Sequence, residues 1–230
     1  RPSFKPRTSG GGEVIPLDGG WRLQIPAGPA GQYRLAQLDD YRDLPRWAFP
    51  WQPGVQLRLR ARVSARRLPG TWGFGLWNDP FSASLGLGGM SRSLPALPQA
   101  AWFFYASPPN YLSLRDDLPA QGALAAVFRS ARLPAWLLAP GLILLPGLAL
   151  PPLNRLLRRR ARRFVRLETT LLGHDPAEPH NYGLRWEVEG VSFSLDGAAV
   201  GHTRLSPGAP LALVIWIDNQ YAAWTPQGRL

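Results

Sequence analysis

Carboxylates that could do chemistry are few in this chain, and most sit where a turn would use them. Glu187 and Glu189 are two apart in WEVEG and so share one face of a strand, where a solvated outer surface accounts for them. Asp116 and Asp117 are adjacent, on opposite faces if extended, and suit a turn or a helix cap. Asp79 lies in Asn-Asp-Pro, and Asp218 closes the run VIWIDN. Asp79, Asp116, Asp117 and Asp218 are therefore the candidate catalytic acids, each with a turn-forming explanation beside the chemical one. His174, His180 and His202 lack ligand-like spacing and there is no cysteine, so no metal site is expected. The Gly-rich GLGGMS at 86–91 leads into no helical pattern that could hold a phosphate, and no cofactor is expected.

Aromatic residues are the more prominent reactive surface. GTWGFGLWNDPF, residues 70–81, places Trp72 and Trp77 among three glycines ahead of an Asn-Asp-Pro turn. Trp102, Tyr105, Tyr111, Trp216 and Tyr221 follow in later apolar runs. Such rings either fill a core or stack on flat ligand faces, and strand alternation divides them between the two roles.

The elements that must position these residues read as strands. In VQLRLRARV, Val55, Leu57, Leu59, Ala61 and Val63 share one face, while Gln56, Arg58, Arg60 and Arg62 share the other, a cationic face that reads as solvated. WRLQI, AWFFYA, GALAAVF, FVRLETTLL, YGLRWEVEGVSFSLDGAAV and PLALVIWIDNQY continue the rhythm, bounded by Pro, Gly or Asp. Glu189-Gly190 and Asp196-Gly197 suit tight hairpins, so Val191–Leu195 is predicted as a short strand between two reversals. The sum is an all-β chain forming a two-sheet antiparallel sandwich. Residues 1–12 read as a flexible lead-in and 13–230 as one domain, interrupted at 131–163.

That interruption has its own chemistry. Residues 133–153 hold no charge, and seven arginines (Arg155, Arg158, Arg159, Arg160, Arg162, Arg163, Arg166) follow within twelve positions. Setting those seven aside lowers the formal net charge from +11 to +4, so the basicity is largely local. The apolar stretch is long enough to span a bilayer, which takes about 20 residues. However, Pro134, Pro140, Pro146 and Pro152 recur through it, and each interior proline costs a helix roughly 3 kcal/mol. If strands before and after the segment share one sandwich, it enters and leaves on the same side as a shallow or re-entrant hairpin, or else packs against the domain. Leu153, Leu156, Leu157, Ala161 and Phe164 fall on one helical face with arginines opposite, the pattern of a basic helix in a headgroup layer. Trp136, Leu137, Leu142, Leu145, Arg158, Arg159, Arg162 and Arg163 are the expected contacts with an anionic membrane surface, and a cytoplasmic-face location fits them. The chain starts on Arg, which leaves export undecided. Nucleic acid is a poorer partner for the run, which has no interleaved aromatic for base stacking.

The stretches VQLRLRARVSARRLPGTWGFGLWND, HNYGLRWEVEGVSFSLDGAAV and PLALVIWIDNQY, in that order, resemble the family 16 glycoside hydrolases within the concanavalin A-like lectin/glucanase jelly rolls. Gly70-Thr71-Trp72-Gly73-Phe74-Gly75-Leu76-Trp77 stands where that family has Gly-x-Trp-Pro-Ala-x-Trp. His180, Tyr182 and Trp186, then Leu195-Asp196-Gly197, stand where it has an aromatic strand followed by Val-Asp-Gly. The likeness spans roughly residues 50–221, and 131–163 has no counterpart. The family's catalytic strand, Glu-x-Asp-x-Glu or a variant one residue longer, is replaced by QAAWFFYASPPNYLSL at 99–114. No Asp or Glu occurs between Asp79 and Asp116.

The resemblance implies a jelly roll whose concave face is lined by aromatics but lacks the inherited carboxylate pair. It implies a binding set of Trp72, Trp77, Asn78, Trp102, Tyr105, Trp216, Asn219 and Tyr221, with a carbohydrate or amphipathic small molecule as ligand. Two alternatives stand beside this expectation: a glycoside hydrolase with rearranged acids, and a structural membrane-surface protein without a ligand.

Overall fold

Alternation of apolar and polar residues builds two packed sheets in a computed structural model that describes residues 4–29, 31–80, 96–111, 120–131, 133, 150–219, 225 and 227. In chain order the strands are β1 (Lys5–Ser9), β2 (Glu13–Leu17), β3 (Gly20–Gln24), β4 (Leu35–Asp39), β5 (Val55–Ala61), β6 (Thr71–Trp77), β7 (Ala100–Ala106) and β8 (Gly122–Ser130). Helix α1 (Pro151–Ala161) comes next, followed by β9 (Val165–Leu171), β10 (His180–Glu187), β11 (Gly190–Leu195), β12 (Ala198–Thr203) and β13 (Ala212–Asp218). The large sheet runs β1-β4-β13-β6-β7-β8-β9 and the small one β12-β11-β10-β5, while β2 and β3 form a separate hairpin. All these pairings are antiparallel. The expected all-β jelly-roll sandwich is the architecture found.

The core lies between the two sheets. Phe74 of β6, Phe103 of β7 and Val127 of β8 meet Tyr182, Leu184 and Trp186 of β10 and Phe193 of β11 there. Trp186 is fully buried and its indole N–H donates to Ser206 Oγ at 3.0 Å. On β5, Leu57 and Leu59 pack against this core while Arg58 and Arg60 face outward. Both reversals around β11 form, the first on Val188-Glu189, one residue before the predicted Glu189-Gly190. Asp196 (φ +50°) and Gly197 (φ +85°) occupy a left-handed two-residue turn, and Glu187 pairs with Gly190 at the other reversal.

Residues 1–12 differ from the expected lead-in, because Lys5–Ser9 pairs along β4 from Lys5↔Asp39 to Ser9↔Leu35. The segment KPRTS has almost no apolar content, so its sequence reads as loop. Its place at the sheet edge tolerates both the polar side chains and Pro6, whose missing N–H costs least there.

β8 and β9 pair directly, with Ser130 opposite Val165, and the Ala131 N–H donates to Phe164 O at 2.8 Å. The segment between them therefore departs from and returns to one end of the same strand pair, which excludes a single bilayer crossing. Residues 134–149 lie outside the described part. Among the described residues no helix is long and apolar enough to cross a membrane. In α1 the most buried residue is Asn154 (0% exposed), while Leu156 is 50% exposed, so Leu156 lies off the buried face instead of along it. Leu150 and Phe164, flanking the helix, are likewise exposed, in company with Arg155, Arg159, Arg160 and Arg163.

Candidate functional site

Strand alternation separates the aromatic residues into two populations. Trp72, Phe74 and Leu76 of β6 point between the sheets, which leaves Gly73, Gly75 and Trp77 on the opposite, outer face. The same rule sends Phe103 and Tyr105 of β7 inward and Trp102 and Phe104 outward. Register then brings distant residues together, with Trp216 of β13 opposite Gly73 and Trp102 opposite Gly75.

The outer face of the large sheet thus carries a continuous ring cluster. Trp102 is its hub, with ring centroids 5.4 Å from Trp216, 5.7 Å from Phe128, 6.0 Å from Phe104 and 6.1 Å from Trp77. Phe104 and Trp216 are 6.1 Å apart. Trp77, Trp102, Phe104 and Trp216 are all half-buried. The glycines of GTWGFGLW make room for them: a Cβ on Gly73 would sit 2.6 Å from Trp216 Cη2, and one on Gly75 would sit 2.5 Å from Trp102 Cβ. The Trp102 indole N–H is buried and has no hydrogen-bond partner among the described residues.

Polar groups border this surface at its two ends. At one, the Asp218 carboxylate accepts from Thr71 Oγ1 (2.7 Å) and from the Tyr33 hydroxyl (3.1 Å), and the Trp216 indole N–H donates to Thr71 Oγ1 (3.2 Å). Burial, reinforced by Asp218, pushes the Tyr33 phenol well above its usual range and keeps it a donor. At the other end Arg46, in a short 3-10 turn, donates to the carbonyls of Asn78 (2.7 Å) and Asp79 (2.9 Å). On β4, Gln37, registered opposite Trp216, donates to Asp39 (2.9 Å) and to the Tyr41 hydroxyl (3.3 Å). Asp39 is 1% exposed, and burial raises its carboxyl against the opposing bonds from Gln37 and the Tyr41 and Arg42 amides.

The expected site residues divide accordingly. Trp77, Trp102 and Trp216 come together on the outer face. Trp72 and Tyr105 do not: they are 7% and 4% exposed, stacked at 5.5 Å with their planes 10° apart in the core, because their strand positions have the opposite parity. Asn78 is buried and committed, its amide donating to Leu97 O (2.9 Å) and accepting from the Gln99 N–H (3.0 Å). Asn219 is occupied similarly, accepting from the Arg34 N–H (2.8 Å) and donating to Gln32 O (2.7 Å). Tyr221, Asp116, Asp117, Trp136, Leu137, Leu142 and Leu145 lie outside the described residues, as does the side chain of Arg158. Arg159 and Arg163 are exposed and Arg162 is half-buried. Sequence reasoning missed Phe104, although it stands two residues from Trp102 and so shares its face. It also missed Gln37, Asp39 and Tyr41, which no local pattern links to Trp77.

Of the candidate acids, the two among the described residues, Asp79 and Asp218, do not pair. Asp218 is registered with Thr71 at one end of β6 and Asp79 lies beyond Trp77 at the other, a separation of about 20 Å along the strand. Retaining and inverting glycosidases need about 5 to 5.5 Å and 6.5 to 9.5 Å respectively. On β7 the outer-face side chains are Ala100, Trp102, Phe104 and Ala106. A cleft of about 410 Å³ between β8–β9 and β11–β12 holds Glu168 as its one carboxylate among the described lining residues, already accepting from Thr203 Oγ1.

A separate cluster gathers at one end of the small sheet. His180 Nδ1 lies 2.6 Å from Asp196 Oδ2, and its Nε2 lies 3.0 Å from Asp175 O. His174 Nε2 meets the Tyr182 hydroxyl at 2.7 Å, and the two imidazoles are 4.8 Å apart. The Asp196 bond raises the His180 pKa, whereas burial and then the neighbouring His180 lower that of His174. Burial pushes the Tyr182 phenol up to about 12. Among the described residues no three His, Asp or Glu converge as metal ligands.

No family model and no curated protein matches the chain. Among solved structures it is similar to the GlcNAcα1-4Gal-releasing endo-β-galactosidase from Clostridium perfringens, with 11% identity over 95% of this chain and 54% of that one and a TM-score of 0.47. It is also similar to LamAcat from Zobellia galactanivorans (13%, 80% and 58%, 0.40) and to the catalytic domain of an endo-1,3-β-glucanase from Thermotoga petrophila (11%, 97% and 67%, 0.38). The chain thus spans little more than half the length of the first two. The fold itself is the all-β, antiparallel two-sheet sandwich described above.

Proposed function

We propose that the chain is a non-hydrolytic jelly-roll module that binds a carbohydrate or another amphipathic ligand on the outer face of its large sheet. The observation that carries this reading is the cluster of Trp77, Trp102, Phe104 and Trp216 on the outer face of the large sheet. Half-buried rings at centroid spacings of 5.4 to 6.1 Å offer a platform for the apolar faces of sugar rings. The Asp218–Thr71 pair supplies polar groups at the rim. The module meets an anionic membrane surface through 133–166. Exposed Leu150, Leu156 and Phe164 among Arg155, Arg159, Arg160 and Arg163 support that contact, at about 1 kcal/mol per cationic side chain near anionic lipid.

The test is calorimetric titration with neutral β-glucan and galactan oligosaccharides. Trp216→Ala is expected to weaken binding at least tenfold in folded protein, whereas Leu57→Ala, a core change on the other sheet, leaves affinity intact while lowering stability. Equal affinity of wild type and Trp216→Ala would refute the aromatic-face assignment.

A further inference from the structure

The small sheet carries a second surface that the aromatic-face reading does not use. β5 presents Gln56, Arg58 and Arg60 outward, and Arg62 continues the row one residue past the strand. Successive arginines are thus spaced about 6.6 Å apart along a straight line. Antiparallel pairing with β10 sets Arg185 beside Gln56 and Asn181 beside Arg60, while β11 adds Ser192 opposite Arg185. Gln56, Arg58, Arg60, Asn181, Arg185 and Ser192 are all exposed. Arg58, Arg60, Arg62 and Arg185 make no ion pair or side-chain hydrogen bond among the described residues.

Among the described residues, acids reach this surface only at its margins. Glu187 lies at the far end of β10, and Asp196, at the opposite end, is engaged by His180 and by the Asn181 N–H. Parallel rows of like charge repel unless a counter-charge covers them. In sequence the Arg58–Arg62 alternation reads as a solvated face. The fold adds Arg185, from a strand more than 120 residues later, to the same patch.

From this register we infer that the outer face of the β12-β11-β10-β5 sheet binds a linear acidic polysaccharide lying along β5. Three features favour that occupant. The cations form a row, which matches an extended polyanion. Gln56 stands beside them as an amide partner for sugar hydroxyls, while Ser192 Oγ, held by His202 Nδ1 at 3.1 Å, and Asn181, whose amide reaches Asp196 at 3.4 Å, keep further hydrogen-bonding capacity at the same face. Arginine forks accept carboxylate or sulfate groups in a two-point geometry. A single-stranded nucleic acid would need exposed rings for stacking, and the outward residues of β5 and β10 include none. A bilayer is met better by the exposed leucines of the α1 region than by this wholly polar face.

The experiment measures binding of the full chain at low salt to polygalacturonate (carboxylated), dextran sulfate (sulfated) and neutral dextran, with phosphatidylglycerol vesicles and single-stranded DNA in parallel. Arg58→Gln/Arg60→Gln is compared with Arg22→Gln/Arg129→Gln, which removes the same charge from exposed positions elsewhere. The expected result is binding to one or both acidic polysaccharides and not to neutral dextran. It should weaken about tenfold in the β5 variant and hardly change in the charge-matched one. Preference for the carboxylated or the sulfated polymer identifies the anionic group. Equal losses in the two variants, or no polysaccharide binding by wild type, would overturn the inference. Tighter, Arg58- and Arg60-dependent binding to vesicles or DNA would overturn the choice of occupant. Trp216→Ala leaves this binding unchanged, so failure here and failure of the aromatic-face reading are distinguishable.

Discussion

Replacing Gly73 with alanine tests whether the Trp216 ring rests on bare backbone. The added Cβ would fall 2.5 Å from the Phe103 carbonyl oxygen and 2.6 Å from Trp216 Cη2. The first neighbour is backbone held by the β6–β7 ladder and the second belongs to a ring tethered through its N–H to Thr71, so neither yields cheaply. Overpacking of this kind costs about 1 to 3 kcal/mol, against about 0.4 to 1 kcal/mol gained by restricting the unfolded chain. The net expectation is a loss of about 0.5 to 2 kcal/mol, or several degrees in Tm for a chain of this size. Gly183→Ala is the control. Its Cβ would also come close, 2.3 Å from Ser194 Oγ, but that atom is the free end of a rotatable side chain and can swing away. Urea unfolding followed by far-UV circular dichroism compares the two, and tryptophan fluorescence reports the displaced Trp216 ring. Gly73→Ala as stable as wild type, with unchanged fluorescence, would mean that the ring does not lie over the glycine, and the aromatic platform would lose its geometric basis.

Two further predictions concern charge. Burial raises the Asp39 carboxyl, so its share of stability is complete below the ordinary aspartate pKa and declines as pH rises through the raised native value. Asp39→Asn carries no such decline, and its urea midpoint should gain on wild type between pH 4 and pH 7; a constant difference across that range contradicts the buried-carboxylate account. In the His180–Asp196 pair the two partners run in opposite senses. The contribution from His180 is full below the ordinary histidine pKa and fades as pH rises through the raised one, while that from Asp196 fades as pH falls through its depressed value. NMR titration should place the His180 midpoint above 6.5 and, in Asp196→Asn, move it down. An unmoved midpoint rejects Asp196 as the cause.

Local features of the chain disclose much of the sandwich. Alternation in VQLRLRARV defines β5 and its two faces, and Asp196-Gly197 marks its hairpin, because both signals are carried by adjacent residues. The resemblance in GTWGFGLW also locates the aromatic sheet. What local signals could not supply was parity and partnership. Trp72 and Trp77 look equivalent in sequence but differ by an odd number of positions, so one enters the core and the other the outer face. β13 comes to lie between β4 and β6, and only that non-local arrangement puts Trp216 over Gly73 and Gln37 beside Trp216. β1 escaped notice because an edge strand needs no apolar pattern of its own.

The central claim is ligand binding without hydrolysis on the aromatic face. Its most direct test incubates purified protein with β-glucans, galactans and lipid-linked glycans and measures reducing-end release and binding on the same samples. The account predicts saturable binding that depends on Trp216, with no released sugar. Release that disappears in an Asp79→Asn/Asp116→Asn/Asp117→Asn/Asp218→Asn variant would contradict it and show that the fold has rebuilt a carboxylate pair.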